Sequence, residues 1–448
     1  MKINIDNSNF SHSKYLYLSD DSREVLDDLD STIFVKTDLN ARFLQEMQAN
    51  NATIISPNEL KKYLVNNTKI IGITGTNGKT TIASCIYSLL LSLGFRCALL
   101  GTRGFFINDE RIASKGLTTP TLLELYNNIH IASKYNCDYF VMEVSSHAIA
   151  QNRIEGLDFA LKILSNITAD HLDFHKTIEE YERVKNSFFS DEGLKLINKD
   201  SLNARFNIIN CYTYGIENKG NLSLNAYSIK DSIDGHITWN DFKRKQKEEC
   251  LIHSNLIGKY NLYNILASIA AVKILNNDIA LDDISKALNE FGGVCGRMEV
   301  VHINPLVIVD FAHTPDGMKN ILSSFIGRKI KLVFGAGGDR DRLKRPVMGQ
   351  IAEIYSTRIY LTSDNPRSEN PHSIINEILE GISNKNKVFV ESNRKLAIQK
   401  ALSELRSDEV LLILGKGDET YQIIGDKILP FDDRVEVREF YKNDEARE

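Results

Sequence analysis

Gly75-Thr76-Asn77-Gly78-Lys79-Thr80-Thr81 is a glycine loop with a lysine and neighbouring hydroxyls, set between an apolar run and a helix-forming stretch. The backbone N–H groups of such a loop can surround phosphate oxygens at a helix start, where the helix dipole also favours negative charge. Lys79 would bring a positive charge to the terminal phosphates, and the Thr80 hydroxyl is a hard oxygen donor suited to Mg²⁺. The common pattern GxxxxGK[ST] would have glycine at position 73, where this chain has Ile73, so the loop is a variant of the usual one. Without context the same residues would be a glycine turn with an exposed lysine. The strand before them and the helix after them favour phosphate.

A loop of this kind needs a parallel sheet beneath it. Residues 69–74 read as a buried strand, 80–93 as a helix ended by Gly94, and 96–100 as the next strand, which makes a βαβ unit. Further apolar strands are expected at 139–144 and 160–164. A helix over 261–274 has Leu262, Ile265, Leu266, Ile269 and Val272 at helical spacing. Residues 205–255 are more polar and β-like, which suggests a surface hairpin region. Before this block, residues 31–36, 41–49 and 52–55 read as strand, helix and strand, and Asn66-Asn67-Thr68 as a polar hinge. After Gly292-Gly293, strands at 307–311, 331–334, 358–362, 388–391 and 410–414 alternate with helical stretches such as 346–355 and 371–382. That alternation is the mark of a doubly wound sheet.

At 448 residues the chain is too long for one ordinary core. Hydrophobic content of 42%, charged content of 25% and a formal net charge of −5 describe a globular chain without a large basic field. Those values argue against a general nucleic-acid or membrane-surface role. The six cysteines are widely spaced and form no CxxC pair, so reduced thiols are expected rather than zinc or a disulfide framework. The start lacks the apolar core of a signal peptide, and the richest apolar run, 86–95, is too short to span a bilayer. A cytoplasmic protein is expected.

The loop is one of several motifs that occur in a fixed order. Met142-Glu143-Val144-Ser145-Ser146-His147 and Asn166-Ile167-Thr168-Ala169-Asp170-His171-Leu172-Asp173-Phe174-His175 follow it, then Lys185. Later come Gly296-Arg297-Met298-Glu299, Asp310-Phe311-Ala312-His313-Thr314-Pro315-Asp316, Gly335-Ala336-Gly337-Gly338-Asp339-Arg340 and Asp364-Asn365-Pro366-Arg367. Together these resemble the Mur ligase family, whose superfamily also contains folylpolyglutamate synthetase. Within it the match is to the branch that adds the third residue of the peptidoglycan stem peptide. The resemblance covers about residues 66–435 and is weaker before them.

What the resemblance implies is an α/β chain of three domains: an N-terminal uridine-site domain (1–66), a central ATP-binding domain (67–296) and a Rossmann-like C-terminal domain (297–448). The cofactors would be ATP and Mg²⁺, and the partners UDP-N-acetylmuramoyl-L-alanyl-D-glutamate and meso-diaminopimelate. A monomer is expected. Catalysis would fall to Lys79, Glu143, His171 and Lys185, with Thr80, Glu143, His171 and a carbamylated Lys185 serving the metal. ATP would be held by residues 75–81 with Asn264, Arg297 and Asp310. The muramoyl dipeptide would meet Ser22, Thr118, Thr119, Ser145, Gln151 and Arg153. From composition alone Lys185 would be a solvent-facing helical lysine, and Thr118-Thr119 a helix cap before Leu122.

Diaminopimelate carries a carboxylate that lysine lacks. A guanidinium that pairs with it rewards the first amino acid and is left unpaired with the second. Arg367 is the arginine the resemblance assigns to this, beside Asp364, Asn365, Pro366, Arg340, Gly415 and Glu419, the last to hold the distal ammonium. Asp418 stands where the family commonly has histidine, Ala336 where it has cysteine and Phe311 where it has tyrosine. Alternatives are the same ligase using L-lysine or another amino acid, a folylpolyglutamate synthetase-like ligase, a catalytically dead scaffold, which the intact Lys79, Glu143, His171 and Lys185 disfavour, and a phosphate-loop regulatory NTPase. The last is disfavoured by Ile73 and by the lack of an NKxD base-recognition signature.

Overall fold

The computed structural model describes residues 1–5, 15–64, 66–114, 116–229 and 232–445, without the side chains of 443–445. Among these residues the chain builds three sheets in succession, plus a short two-stranded ribbon near its end. The first is small: Lys2–Asn4 pairs antiparallel with Tyr17–Ser19, and Thr32–Val35 and Ile54–Ile55 continue it in parallel.

The central sheet has eleven strands among the described residues. Its middle is parallel, with Lys69–Thr74 between Tyr139–Glu143 and Phe159–Leu164. These strands are apolar on both faces because helices cover both. Ile71, Ile73 and Val141 pack under the helices Lys79–Ser92, Lys259–Leu275 and Leu281–Leu288, whereas Ile70, Phe140 and Met142 face Leu122–Lys134 and Ile178–Ser187. The helix Lys259–Leu275 is longer than its spacing predicts and is buried nearly all round, Ala267, Ala270 and Ala271 included. Small residues there allow close approach to the phosphate-loop helix.

The stretch 205–255 forms the expected β hairpins, but they prolong the central sheet rather than stand apart on the surface. Cys211–Gly215, Leu222–Ser228, Ile233–Asp241 and Gln246–Ser254 extend the central sheet, and Ile233, Ile237 and the buried Trp239 join its main core. The polar half of the alternation is the solvent face of half-covered strands. The outer rims are Gln246–Ser254, with Lys247 and Glu249 exposed, and the short, fully exposed Glu110–Ala113.

The third sheet runs Glu299–His302, Leu306–Asp310, Glu409–Leu414, Lys329–Phe334, Arg358–Leu361 and Val388–Val390. All but the first are parallel. Helices Pro315–Ser323, Lys344–Tyr355 and Pro371–Glu380 cover one face, Arg394–Ser403 and Asp433–Glu445 the other. This is the doubly wound arrangement that the alternation predicts. Its loops leave the carboxyl ends of the parallel strands, where such folds build their sites.

Candidate active site

The helix Lys79–Ser92 starts directly after Gly78, whose φ is +87°, and no side chain caps it. Its first-turn N–H groups are therefore free for a ligand. A side chain at 78 would be strained, and its Cβ would lie 2.4 Å from Asn264 Oδ1. The loop is fastened from beneath: the Asn77 N–H donates to Asn166 Oδ1 at 3.0 Å, while Asn166 Nδ2 and the Ser165 hydroxyl donate to the Asn77 carbonyl. Asn264 is itself held by Asn261.

Two amines meet below this loop. Lys79 Nζ donates to the Gly75 carbonyl at 2.8 Å and the Thr76 carbonyl at 3.0 Å, and Lys185 Nζ donates to the same Gly75 carbonyl at 2.9 Å. Lys185 comes from the helix Ile178–Ser187, capped by Thr177, and is only 1% exposed, so it is not the solvent-facing lysine that composition favours. Burial and then the Lys79 charge push its amine well below the usual lysine range, with Asp170 opposing. Burial also lowers Lys79, against the pull of Glu143 and Asp170.

Glu143 ends the strand Tyr139–Glu143, beside the strand that feeds the loop. Its carboxylate is 2% exposed yet fully used: it accepts from the Thr80 hydroxyl at 3.0 Å, the Thr102 N–H at 2.9 Å and the Thr102 hydroxyl at 3.3 Å. A buried carboxylate without such donors would be costly. His171 sits at φ +53° with its ring edge-on to His147. Burial, opposed by Asp170, pushes its imidazole down to about 4, so the ring is neutral at neutral pH.

One cavity of about 1270 Å³ collects these groups. It is lined from the central unit by Thr76 to Thr81, Thr118, Glu143, Ser145, Asp170, His171, Lys185 and Asn264, and from the C-terminal unit by Arg297, Asp310, His313, Arg340 and Glu419. Asp310 accepts from the Met298 N–H at 2.7 Å and the Ala312 N–H at 2.6 Å, and burial raises its carboxyl. The Arg297 guanidinium lies 4.2 Å from the Phe311 ring centre. His313 bonds locally, to the Phe311 carbonyl.

Other anticipated residues do not line the cavity. Gly75 is turned against Ser165. Thr119 is 1% exposed and is no helix cap: its hydroxyl donates to the Glu143 carbonyl and accepts from the Ser145 N–H, so it ties strand end to loop. Gln151 pairs with Arg153, whose Nη1 donates to the Thr119 carbonyl. Ser22 is buried in the N-terminal unit as the first residue of the helix Ser22–Leu26.

Asp364 to Arg367 form a shell beside the cavity. Arg367 has φ +50°, its N–H donates to the Ile423 carbonyl, and its Nη1 donates to the Gly338 carbonyl at 2.8 Å. Gly338 has no room for a side chain, since a Cβ would lie 1.9 Å from the Pro366 carbonyl oxygen. Asp364 takes the Asn365 N–H and faces Gly415. Asn365 Nδ2 donates to Glu419 Oε2 at 2.8 Å, and the fully buried Lys416 donates to that oxygen at 3.1 Å and to Asn365 Oδ1 at 3.2 Å. Lys416 and Asn365 thus fix how Glu419 presents its carboxylate to the cavity.

Arg345 braces the two loops that carry Arg340 and Arg367. It is fully buried and pairs at 2.8 Å with Glu369 and Glu377, and Nη2 donates to the Gly337 carbonyl. The Arg345 hydrogen bonds push the Glu369 carboxyl down to about 2 from an ordinary 4.5. The unfolded chain protonates Glu369 near 4.5, the folded one near 2, so the stabilisation is whole above pH 4.5 and lost as pH falls from 4.5 toward 2. Glu369→Gln should lower stability at neutral pH by on the order of 2 kcal/mol. In thermal melts, the gap to the parent should narrow below pH 4.5. A gap that is the same at all pH values would remove this assignment.

Sequence reading did not single out Asp170, Thr102, Lys416 or Asp316 as working residues. Asp316 had a local signal: Thr314-Pro315-Asp316 is a helix start, with Thr314 accepting from the Gly317 N–H and proline in the first turn. The others depend on packing between distant segments.

The patterns described as "Mur ligase middle domain" and "Mur ligase, glutamate ligase domain" match residues 73–272 and 296–417. A Helicobacter pylori protein named UDP-N-acetylmuramoyl-L-alanyl-D-glutamate--2,6-diaminopimelate ligase is 55% identical, covering 97% of each chain. A Wolinella succinogenes protein of the same name is 51% identical over 96% of this chain and 97% of its own. A solved structure with that enzyme name superposes with a TM-score of 0.65 at 28% identity, over 96% of this chain and 95% of that one. A folylpolyglutamate synthase from Mycobacterium tuberculosis shares the fold, at TM-score 0.62 and 15% identity over 84% of this chain and 92% of that one. With both family domains in order behind a shared phosphate-loop cavity, the chain belongs to the Mur ligase family.

Proposed function

We propose that this ligase joins meso-diaminopimelate to the D-glutamate γ-carboxylate of UDP-N-acetylmuramoyl-L-alanyl-D-glutamate, in the cytoplasm, at the expense of ATP. Among the described residues no helix is long and apolar enough to cross a membrane. The observation that carries the reading is the single cavity in which a phosphate loop faces Arg340 and Glu419 of another unit. The names of relatives above 50% identity over nearly the whole chain support the same substrates.

The triphosphate would lie along the N–H groups of residues 78–81, at the start of the helix Lys79–Ser92, with Lys79 beside its far end. An oxygen of the glutamate γ-carboxylate attacks the terminal phosphorus, ADP leaves, and an acyl phosphate remains. The diaminopimelate amine then attacks the acyl carbon, the C–O bond to phosphate breaks, and the amine gives up a proton. Dense negative charge in both transition states calls for fixed cations. Lys79 and Arg297 supply two of them, one from the central unit and one from the C-terminal unit.

The adjoining Thr80 hydroxyl and Glu143 carboxylate are hard oxygen donors that fit Mg²⁺, and His171, elsewhere on the same cavity wall, would serve a second Mg²⁺. Mg²⁺ held there would neutralise phosphate charge. Lys185, whose amine is held toward its neutral form, is suited to add carbon dioxide as a carbamate, releasing a proton and giving the wall a negative group. Arg367 and Arg340 select the distal carboxylate of diaminopimelate, and Glu419 its ammonium. Thr118, Ser145 and Arg153 serve the muramoyl dipeptide, and Ser22 its uridine end.

An amino-acid panel tests the reading. ADP release with the muramoyl dipeptide should depend on meso-diaminopimelate and be far weaker with L-lysine. Release that needs no amine, or that proceeds with a folate in place of the dipeptide, would reject it.

A further inference from the structure

The C-terminal unit reaches the phosphate loop through the Asp316 carboxylate. Asp316 stands in the first turn of the helix Pro315–Ser323, and its Oδ2 accepts from Asn77 Nδ2 at 2.9 Å and from the Thr168 hydroxyl at 3.0 Å. Asn320 Nδ2, one helical turn on, donates to the same oxygen at 3.1 Å and keeps the carboxylate aimed. Asn77 belongs to the phosphate loop, and Thr168 to the segment that carries Asp170 and His171. The Thr168 N–H donates to the Thr76 hydroxyl, and the Thr76 hydroxyl donates to the Thr168 carbonyl, so loop and segment are already laced together. Asp316 grips that laced pair from the other unit.

We propose that Asp316 is a positioning residue: a catch that seats the C-terminal unit, with its amino-acid-binding loops, on the phosphate loop in the reactive arrangement. This rests on the ATP reading given above. Both backbone groups of Asn77 are committed to the central unit, as are the backbone groups that Thr168 shares with Thr76. Only their side chains reach across. The bonds are charge-assisted, hence stronger than neutral ones, yet they lie beside the cavity, where water can replace them when the units part. The catch therefore acts on alignment between the acyl phosphate and the amine. ATP affinity comes from loop N–H groups that do not depend on Asp316.

The test compares the full chain with Asp316→Ala and Asp316→Asn, measuring kcat, KM for ATP, thermal melting, and the scattering radius with and without ADP plus both other substrates. Asp316→Ala should lower kcat by about 20-fold or more while KM for ATP stays within about 3-fold. Asp316→Asn keeps an acceptor oxygen and should recover most of that loss. The alanine variant should stay more expanded than the parent when saturated, with an unchanged melting temperature. An alanine variant with parental kcat overturns the proposal. So does an asparagine variant that loses as much as alanine, or a rise in KM for ATP that matches the fall in kcat. If the parent chain itself shows no amine-dependent ADP release, the ATP reading falls, and the catch with it. Where the parent turns over, the two variants alone decide whether the catch stands.

Discussion

Lys79→Ala should fold like the parent and lose turnover by on the order of 10³-fold, the loss expected when a fixed group on the transition-state charge is removed. Stability should hold because the half-buried Lys79 and the buried Lys185 place two amines on one carbonyl oxygen. Removing one relieves like-charge repulsion, and the freed Gly75 carbonyl keeps the Lys185 bond. The Lys185 amine should rise toward the ordinary lysine range, since Lys79 is the neighbouring charge that lowers it. The check pairs ADP release under saturating substrates with thermal melts. Turnover within tenfold of the parent would mean that the terminal phosphate lies elsewhere.

Arg367→Ala should cut kcat/KM for diaminopimelate by about 100-fold, the value of a lost charge-assisted contact near 3 kcal/mol. KM for ATP should change little, because Arg367 does not line the cavity that holds the phosphate loop. The fold should tolerate the change. The backbone bond to Ile423 remains, and alanine at φ +50° is strained no more than arginine is. Nη1 is spent on the Gly338 and Asn365 carbonyls, which leaves Nε and Nη2 for a substrate carboxylate. L-lysine, lacking that carboxylate, should be used no worse by the variant than by the parent. Equal losses for diaminopimelate and ATP would strip Arg367 of its selective role.

Much of the machinery is local enough to be legible in sequence. The phosphate loop is one strand, one turn and one helix start, so its flanking elements announce it despite Ile73 in place of the usual glycine. The doubly wound C-terminal sheet is announced by its alternation, and Glu143 by its place at a strand end. What escapes is what distance in sequence conceals. Lys185 reads as a surface lysine until the Ile178–Ser187 helix packs beneath the loop and covers it. Lys416 supports Glu419 only because the turn after Glu409–Leu414 folds back on Asn365. Asp316 works across two units 239 positions apart from Asn77. The stretch 205–255 departs from its expectation for another reason. Alternating polar and apolar residues show that one side of a strand is wet, but not whether it stands alone or prolongs a larger sheet.

The breadth of that central sheet carries an obligation at its margins. An open sheet leaves unpaired N–H and C=O groups along each last strand, and another molecule's strand can zip onto them. Here one margin bears Lys247 and Glu249, tied to each other at 2.6 Å, and the other is four residues long and starts with Glu110 and Arg111. Charge at one border and brevity at the other discourage another molecule's strand from pairing along this wide sheet.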